Sequence, residues 1–478
     1  MTNRFRAINE PAKGFTEELV PQLIRTEVTG MLGRFDHVFE FPADWEFVIL
    51  HGPNGVGKTK LLELVSWTFG WQTIKLANLP FGSARFDFDD GTRLKVTRVE
   101  ADPKKTHRTR HSNSAVRLGF AVHFELRRPG SHMISYTSSP STMRETAQLR
   151  EVVQRLLPVS RVGPDAYHDH PTDVVMSLAE VLEFYGSALP SDIYPEAEQP
   201  RVIRDFLSGI KVYLIETQRL LNIPAELPSN ARYRTQPEQP KSRVSIYSED
   251  LARRLKEALA QNSRRSQELD RTFPERLLEE QPVTNLTDDQ IRERYRLQAD
   301  YRARLSQIDV LGASSEYLPL PDRTLKDWER HVLWTYLEDT ERKLDTFKDV
   351  LTRVRLLQEI VNSRFKYKSL KISREEGFVV VTDSGEEIPP ERLSSGEQHE
   401  LVLVYGLLFE VEENTLVLID EPEISLHVGW QRQFLSDLFE ISQITNLRFV
   451  IATHSPQIIH KWWERTVPLV PADDMDDA

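Results

Sequence analysis

Short apolar runs without alternation punctuate the chain. They are Phe47-Val48-Ile49-Leu50, Leu416-Val417-Leu418-Ile419, residues 449–452 and the apolar centre of residues 211–216. Runs this short, ending in turn-forming or charged residues, predict strands buried on both faces. Residues 22–29 and 36–41, around a Gly30/Gly33 turn, also read as strands. Residues 93–99 and 115–126 alternate apolar and polar positions around a basic loop, which predicts a small antiparallel β-lobe within residues 80–127. Leu61, Leu62, Leu64 and Val65 fall on one side of a helix over residues 60–69. The texture changes over residues 246–364, where charged sequence carries heptad-like apolar spacing. Breaks at Thr272-Phe273-Pro274 and around residues 312–321 suggest a helical arm or hairpin. Residues 222–245 hold many Pro, Asn, Gln, Arg and Ser and read as an exposed linker. A strand pair from Leu370 leads into a compact block, residues 393–460. No internal repeat or low-complexity segment is visible.

Length adds that 478 residues exceed one ordinary domain. Lys and Arg number 61 against 73 Asp and Glu, a formal charge of −12, so the chain as a whole is no basic nucleic-acid binder. Cysteine is absent, which excludes a disulfide scaffold, a thiolate metal site and a Cys nucleophile. No run of about 18 apolar residues is present to span a membrane. Residues 1–13 mix charges and lack the apolar core of a signal peptide. The expected compartment is the cytoplasm, with no membrane partner. The acidic residues 471–478 read as a frayed tail.

Chemistry enters directly after the first apolar run. Gly52-Pro53-Asn54-Gly55-Val56-Gly57-Lys58-Thr59 fits the P-loop pattern G-x-x-x-x-G-K-[ST]. Its glycines let backbone N–H groups turn inward around phosphate oxygens, and the following helix adds its positive end. Lys58 would reach the β- and γ-phosphates, and Thr59 would offer its hydroxyl to Mg²⁺. Leu416 to Ile419 end in Asp420-Glu421, a Walker B strand. There Asp420 would hold Mg²⁺ through water and Glu421 would polarise the attacking water. The expected cofactors are ATP and Mg²⁺.

With these two motifs the sequence resembles the ABC-type ATPases, in their soluble SMC/RecF/OLD-like branch. Four further elements carry the resemblance. Leu393-Ser394-Ser395-Gly396-Glu397 is similar to the signature motif at a helix start, and Ser425-Leu426-His427 stands at the D-loop position. Thr453-His454-Ser455 follows a strand as the switch histidine does, and Gln218 follows another as the Q-loop glutamine does. The sequence departs from the pattern at Ser395, usually Gly, at Glu397, often Gln, and at His427, usually Asp. The resemblance implies an α/β ABC-ATPase head, a P-loop mixed β-sheet with flanking helices and antiparallel β-lobe, carrying an inserted helical arm. Residues 1–220 and 370–478 would form its halves and residues 221–369 the arm. It implies catalytic roles for Glu421, His454 and Gln218, with Gln218 also on the metal. It places Ser394, Ser395, Gly396 and Glu397 on the γ-phosphate held by another subunit, so the chain would work as a homodimer or higher homo-oligomer.

A narrower resemblance is to the ATPases of Septu-type, retron-associated and PARIS-type anti-phage systems. It is carried by residues 393–400, 421–427 and 452–457. Those ATPases work with a separately encoded effector, whereas OLD-type relatives carry a nuclease after the ATPase. Only 24 residues follow His454, so an effector in trans, a nuclease or toxin, is expected. The trigger would be a nucleic acid or a phage protein. The alternative is a RecF/SMC-like ATPase acting directly on DNA. A transporter subunit fits poorly, because 334 residues separate Thr59 from Leu393.

Weaker signals keep two readings each. The basic residues 104–111 are a solvated hairpin loop or a contact for nucleic acid or an acidic partner. His168-Asp169-His170 is a plain loop or a metal fragment, and Trp462-Trp463 is core or a docking patch. Arg34 is an exposed strand arginine or a triphosphate contact.

Overall fold

The computed structural model describes residues 20–100, 120–138, 147–163, 166–170, 174–185, 201–216, 242–279, 286–308, 310, 320–424 and 426–469. Strands β1 (Leu23–Met31) and β2 (Phe35–Glu40) come first, and the first apolar run is β3 (Phe47–His51). Helices α1 (Lys58–Phe69) and α2 (Thr73–Asn78) lead to β4 (Ser83–Phe88), β5 (Arg93–Glu100), β6 (Phe120–Arg127) and β7 (Ile134–Ser138). The alternating segments form one antiparallel sheet in the order β2-β1-β4-β5-β6-β7. This lobe is larger than residues 80–127, because β1 takes β4 as its second neighbour, with Thr26 opposite Phe86.

A small unit follows, of α3 (Ala147–Leu156), β8 (Val159–Arg161), β9 (Tyr167–Asp169), β10 (Val174–Met176) and α4 (Leu178–Tyr185). His168 and Asp169 therefore belong to a strand rather than a loop. Tyr167 and Asp169 are the inward side chains of that strand, both fully buried, and Asp169 accepts the Tyr185 hydroxyl at 2.7 Å. The His168 and His170 rings meet edge-on at 5.3 Å. Among the described residues no group of three or more His, Asp or Glu side chains is arranged to hold a metal ion. Helix α5 (Arg201–Gly209) then leads to β11 (Val212–Glu216).

The charged segment forms α6 (Arg243–Glu279), α7 (Asp288–Gln307), α8 (Asp327–Leu344) and α9 (Lys348–Asn362). At 37 residues α6 is about 55 Å long. Pro274 stays inside it, so the expected break is a missing N–H and not a stop. Two residues on, Arg276 pairs with Asp339 of α8 at 2.7 Å, a contact that holds the segment helical. The distal end has its own cluster of Ile291, Leu325 and Leu337. The proximal end is different. Val244, Tyr247, Leu251 and Leu255 of α6, and Leu351, Val354 and Leu357 of α9, share one apolar core with the strands of the head. The arm is thus rooted in the head and not appended to it.

The last part contains the hairpin strands β12 (Lys368–Ser373), β13 (Gly377–Thr382) and β14 (Glu387–Ile388), then α10 (Ser395–Tyr405). After them come β15 (Leu416–Asp420), α11 (Val428–Thr445), β16 (Arg448–Thr453), α12 (Pro456–Ile459) and β17 (Thr466–Pro468). The unalternated runs pair as a five-stranded sheet in the order β11-β15-β16-β3-β17. All four pairings are parallel. The mixture of strand directions is therefore divided between sheets, the central one parallel and the other three described antiparallel. Alternate residues serve two cores, which explains why the runs are apolar throughout. Phe47, Ile49, Val417 and Ile419 face the arm root and α10. Val48, Leu50, Leu416 and Leu418 face α1 and the lobe. Glu216, Asp420, Ala452 and, beside His51, Thr453 lie in adjacent register, so four strands finish at one edge.

One buried charge cluster ties the arm exit to this head. Arg364, just past α9, pairs with Glu400 of α10 and Asp437 of α11. Burial pulls the Arg364 guanidinium down to about 10.

Candidate functional site

The loop from β3 to α1 sits at that common edge, and glycine is required in it by space as much as by conformation. A Cβ on Gly52 would stand 2.5 Å from the Leu469 carbonyl oxygen. Gly57 has φ +92°, where other residues are strained, and caps α1. A histidine that the sequence reading passed over supports the loop from below. His37 of β2 is 2% exposed, and its Nε2 lies 2.7 Å from the Val56 carbonyl. Burial holds this ring below its ordinary value, so it is neutral and donates through Nε2–H. It follows the inward alternation of β2, the same signal that marks Phe35 and Phe39 as core.

Lys58 opens α1 and is 4% exposed. Its Nζ donates to the carbonyls of Gly52 at 2.8 Å and Pro53 at 3.0 Å. Burial lowers its proton affinity, opposed by Glu421, Asp420 and Glu423. The Thr59 hydroxyl donates to Asp420 Oδ2 at 2.8 Å, closing a gap of 361 residues in sequence. Glu421 has φ +43°, an unusual conformation for a carboxylate residue, and its N–H donates to the Ala452 carbonyl at 2.8 Å. His454 follows β16, and its Nδ1 lies 3.6 Å from Glu421 Oε1 and 3.1 Å from Glu423 Oε1. Lys58, Thr59, Asp420, Glu421 and His454 are thus one group. Gln218 lies outside the described residues, as do Ser425 and residues 104–111.

Burial drives the Asp420 carboxyl up to about 6, with Glu421 adding to the rise and the Thr59 bond opposing it. A carboxyl whose folded value exceeds its unfolded one of 3.8 stabilises the fold fully below that value. The contribution is lost as pH climbs past about 6. Asp420→Asn keeps the shape and an acceptor for Thr59 without the charge. The nucleotide-free variant is expected to exceed wild type in stability at pH 7.5 by on the order of 1–3 kcal/mol. The gain should fade towards pH 4. Melting temperatures across that range check it, and a lower Tm for the variant at pH 7.5 would contradict the assignment of strain to this charge.

The signature residues are set apart. Ser394 caps α10 in a closed capping box. Its N–H and hydroxyl donate to Glu397 Oε2 at 2.9 and 2.8 Å, and Lys368 Nζ reaches the same oxygen at 2.9 Å. Burial works against this carboxylate, but Lys368 and Ser394 outweigh it and hold it below the usual range. Glu397 therefore braces Ser394 and Lys368 of its own chain. Gly396 adjoins the Trp430 ring, beside which His427 caps α11. Among the described residues no hydrogen bond or ion pair joins residues 394–397 to residues 52–59. Of the other candidates, Trp462 packs edge-on against Phe47 at 5.1 Å and Trp463 is 49% exposed. Arg34 lies over the Phe35 ring at 5.4 Å.

A glycine-rich loop, an ammonium, a hydroxyl and a carboxylate form a set suited to a phosphate chain with a hard divalent cation. Residues 221–460 match the family described as AAA domain, putative AbiEii toxin, Type IV TA system. The chain belongs to this AAA-domain family. The matched segment holds β15 with Asp420 and Glu421, residues 393–397 and His454, and residues 52–59 precede it. The chain is also 24% identical over 184 residues to the retron Ec83 probable ATPase of Escherichia coli, covering 34% of this chain and 32% of that one. It is 39% identical over 70 residues to Protein ea59 of Escherichia phage lambda, covering 15% and 13%. It therefore spans about a third or less of the curated relatives it matches. Among solved structures it is similar to an Smc head bound to the C-winged helix domain of ScpA, at 11% identity and TM-score 0.33 over 94% of both chains. The Smc head domain of Thermotoga maritima gives 11% and 0.29 over 93% and 92%. No described helix of this AAA-domain protein is long and apolar enough to cross a membrane.

Proposed function

We propose that this chain binds and hydrolyses ATP with Mg²⁺, in pairs, as the ATPase subunit of an anti-phage defence complex. The observation that carries the ATPase reading is the group at the sheet edge. Lys58, Thr59, Asp420, Glu421 and His454 meet there although Thr59 and Asp420 lie 361 residues apart. In this reading residues 52–57 present N–H groups to the phosphates. Lys58 leaves the Gly52 and Pro53 carbonyls for the β- and γ-phosphates. Thr59 and Asp420, already 2.8 Å apart, would hold Mg²⁺, which when bound neutralises phosphate charge. Glu421 accepts the proton of the attacking water, and Gln218 and His454 complete the γ-phosphate surroundings.

The separation of Ser394, Ser395, Gly396 and Glu397 from the same chain's P-loop supports a site completed by a second copy. Residues 1–220 and 370–478 then make the head and residues 221–369 the arm. The defence role rests on the similarity to the retron probable ATPase. Its working form would hold a separately encoded nuclease or toxin and control it through ATP-dependent pairing.

The test is to express the chain with its genomic neighbours and purify it. A copurifying nuclease or toxin, changed in activity by ATP, supports the reading. Turnover stimulated by DNA with no such companion would favour direct action on DNA instead. Absence of Mg²⁺-dependent hydrolysis in every preparation would sink the ATPase reading.

A further inference from the structure

Glu423 lies two residues beyond Glu421, in the turn Pro422–Ile424, with a side chain only 7% exposed. One of its oxygens accepts two hydrogen bonds and has the His454 ring beside it. Thr453 Oγ1 donates to Oε1 at 2.7 Å, the His454 backbone N–H at 3.0 Å, and His454 Nδ1 lies 3.1 Å away. The other oxygen, Oε2, is buried with no hydrogen-bond partner among the described residues. The Glu423 backbone is held as well. Its carbonyl accepts from Gln431 Nε2 at 3.2 Å, and Gln431 Oε1 accepts the Ser455 hydroxyl at 3.3 Å. The turn after β15 and the turn after β16 are thereby bolted together.

We infer that Glu423 is the positioning residue for His454, and that it claims the ring Nδ1–H so that the Glu421 carboxylate stays open to water. The inference rests on the ATPase reading above. Two carboxylates flank one imidazole. At 3.1 Å Glu423 is within hydrogen-bonding distance of Nδ1, whereas at 3.6 Å Glu421 is not. An imidazole bonded to Glu421 would occupy a lone pair needed for the water's proton. A ring whose Nδ1–H is given to Glu423 has a fixed plane and tautomer. Its Nε2, on the far side of the ring from Glu423, is left for the nucleotide. The buried, unsatisfied Oε2 argues against a mere strut. An amide of the same shape would hold the turn without burying a charge.

The experiment uses the full chain and three variants, Glu423→Gln, His454→Ala and the double. Glu423→Gln is expected to lower kcat by about 10- to 100-fold, the usual range for a residue that orients another. KM for ATP and Tm should hold. Added to His454→Ala, it should lower kcat no further, because its effect passes through the ring. Nitrogen NMR on histidine-labelled protein reads the tautomer directly, with the His454 signal identified by its loss in His454→Ala. Nδ1–H in wild type, disturbed in Glu423→Gln, supports the inference. Nε2–H in wild type, unchanged kcat in Glu423→Gln, or losses that multiply in the double variant overturn it. If Glu423→Gln does not fold, Thr453→Val removes one of the two hydrogen bonds that hold Glu423 Oε1 and should show the same non-additivity. A wild type that does not hydrolyse ATP overturns the ATPase reading, and the tautomer measurement, which needs no turnover, still decides this one.

Discussion

Lys58→Ala and Gly396→Asp proteins, each inactive alone, should recover ATPase activity when mixed. Lys58→Ala removes the buried ammonium that would face the β- and γ-phosphates, so tight ATP binding should vanish in calorimetry. Gly396→Asp acts elsewhere. A Cβ at Gly396 would meet only the Trp430 ring, at 3.8 Å, an ordinary contact that leaves the fold intact. The added carboxylate would lie beside a γ-phosphate held by the other subunit. Two like charges about 4 Å apart repel by about 4 kcal/mol at an effective dielectric near 20. Hydrolysis should fail while ATP binding to the variant's own P-loop survives. In a mixed dimer one composite site keeps both Lys58 and Gly396. Random pairing of equal amounts then yields at most about a quarter of wild-type turnover, if sites fire independently. Normal turnover by Gly396→Asp alone would refute the shared site. Inactivity of verified mixed dimers would show that both sites must fire together or that one chain supplies both motifs.

Glu421→Gln should keep ATP bound and slow its hydrolysis by about 10²-fold or more, since an amide cannot take the water's proton. The substitution suits its backbone, because Gln tolerates φ +43° as well as Glu does. ATP should then accumulate on the protein, and the mass measured in solution should double with ATP but not with ADP. A turnover near that of wild type would hand the base role to another group. Glu423 is the nearest other carboxylate to His454, and the Glu423→Gln variant would reveal such a substitution of roles.

Much of this site could be read from the chain because its chemistry is local. The P-loop needs glycines and Lys58 within eight positions, and the Walker B pair must follow an apolar run. The strands of the central sheet were equally legible, since burial on both faces leaves no polar positions in them. What escaped depends on partners far away in sequence. Glu423 looks like one more acidic turn residue until Thr453 and His454 are placed against it. His37 carries no sign that Val56 lies above it. Pro274 suggests a helix end, yet the packing of Arg276 against Asp339 overrides the local preference. The lobe was underestimated for the same reason. Nothing near β1 announces that β4, more than fifty residues on, is its neighbour.

The placement of β3 between β16 and β17 has a consequence for the birth of the protein. Strand β3 leaves the ribosome some 400 residues before Phe449 to Thr453, which pair with Phe47 to His51. At roughly 5–20 residues per second, β3 waits about 20–80 s for that neighbour. Throughout the wait four bare hydrophobic residues, Phe47 to Leu50, stand with unpaired strand edges. The lobe can close early from its own local hairpins, but the central sheet cannot. Chains stalled or truncated before residue 448 should therefore be aggregation-prone clients of chaperones, and the proposed nucleotide site cannot assemble until β16 has been made.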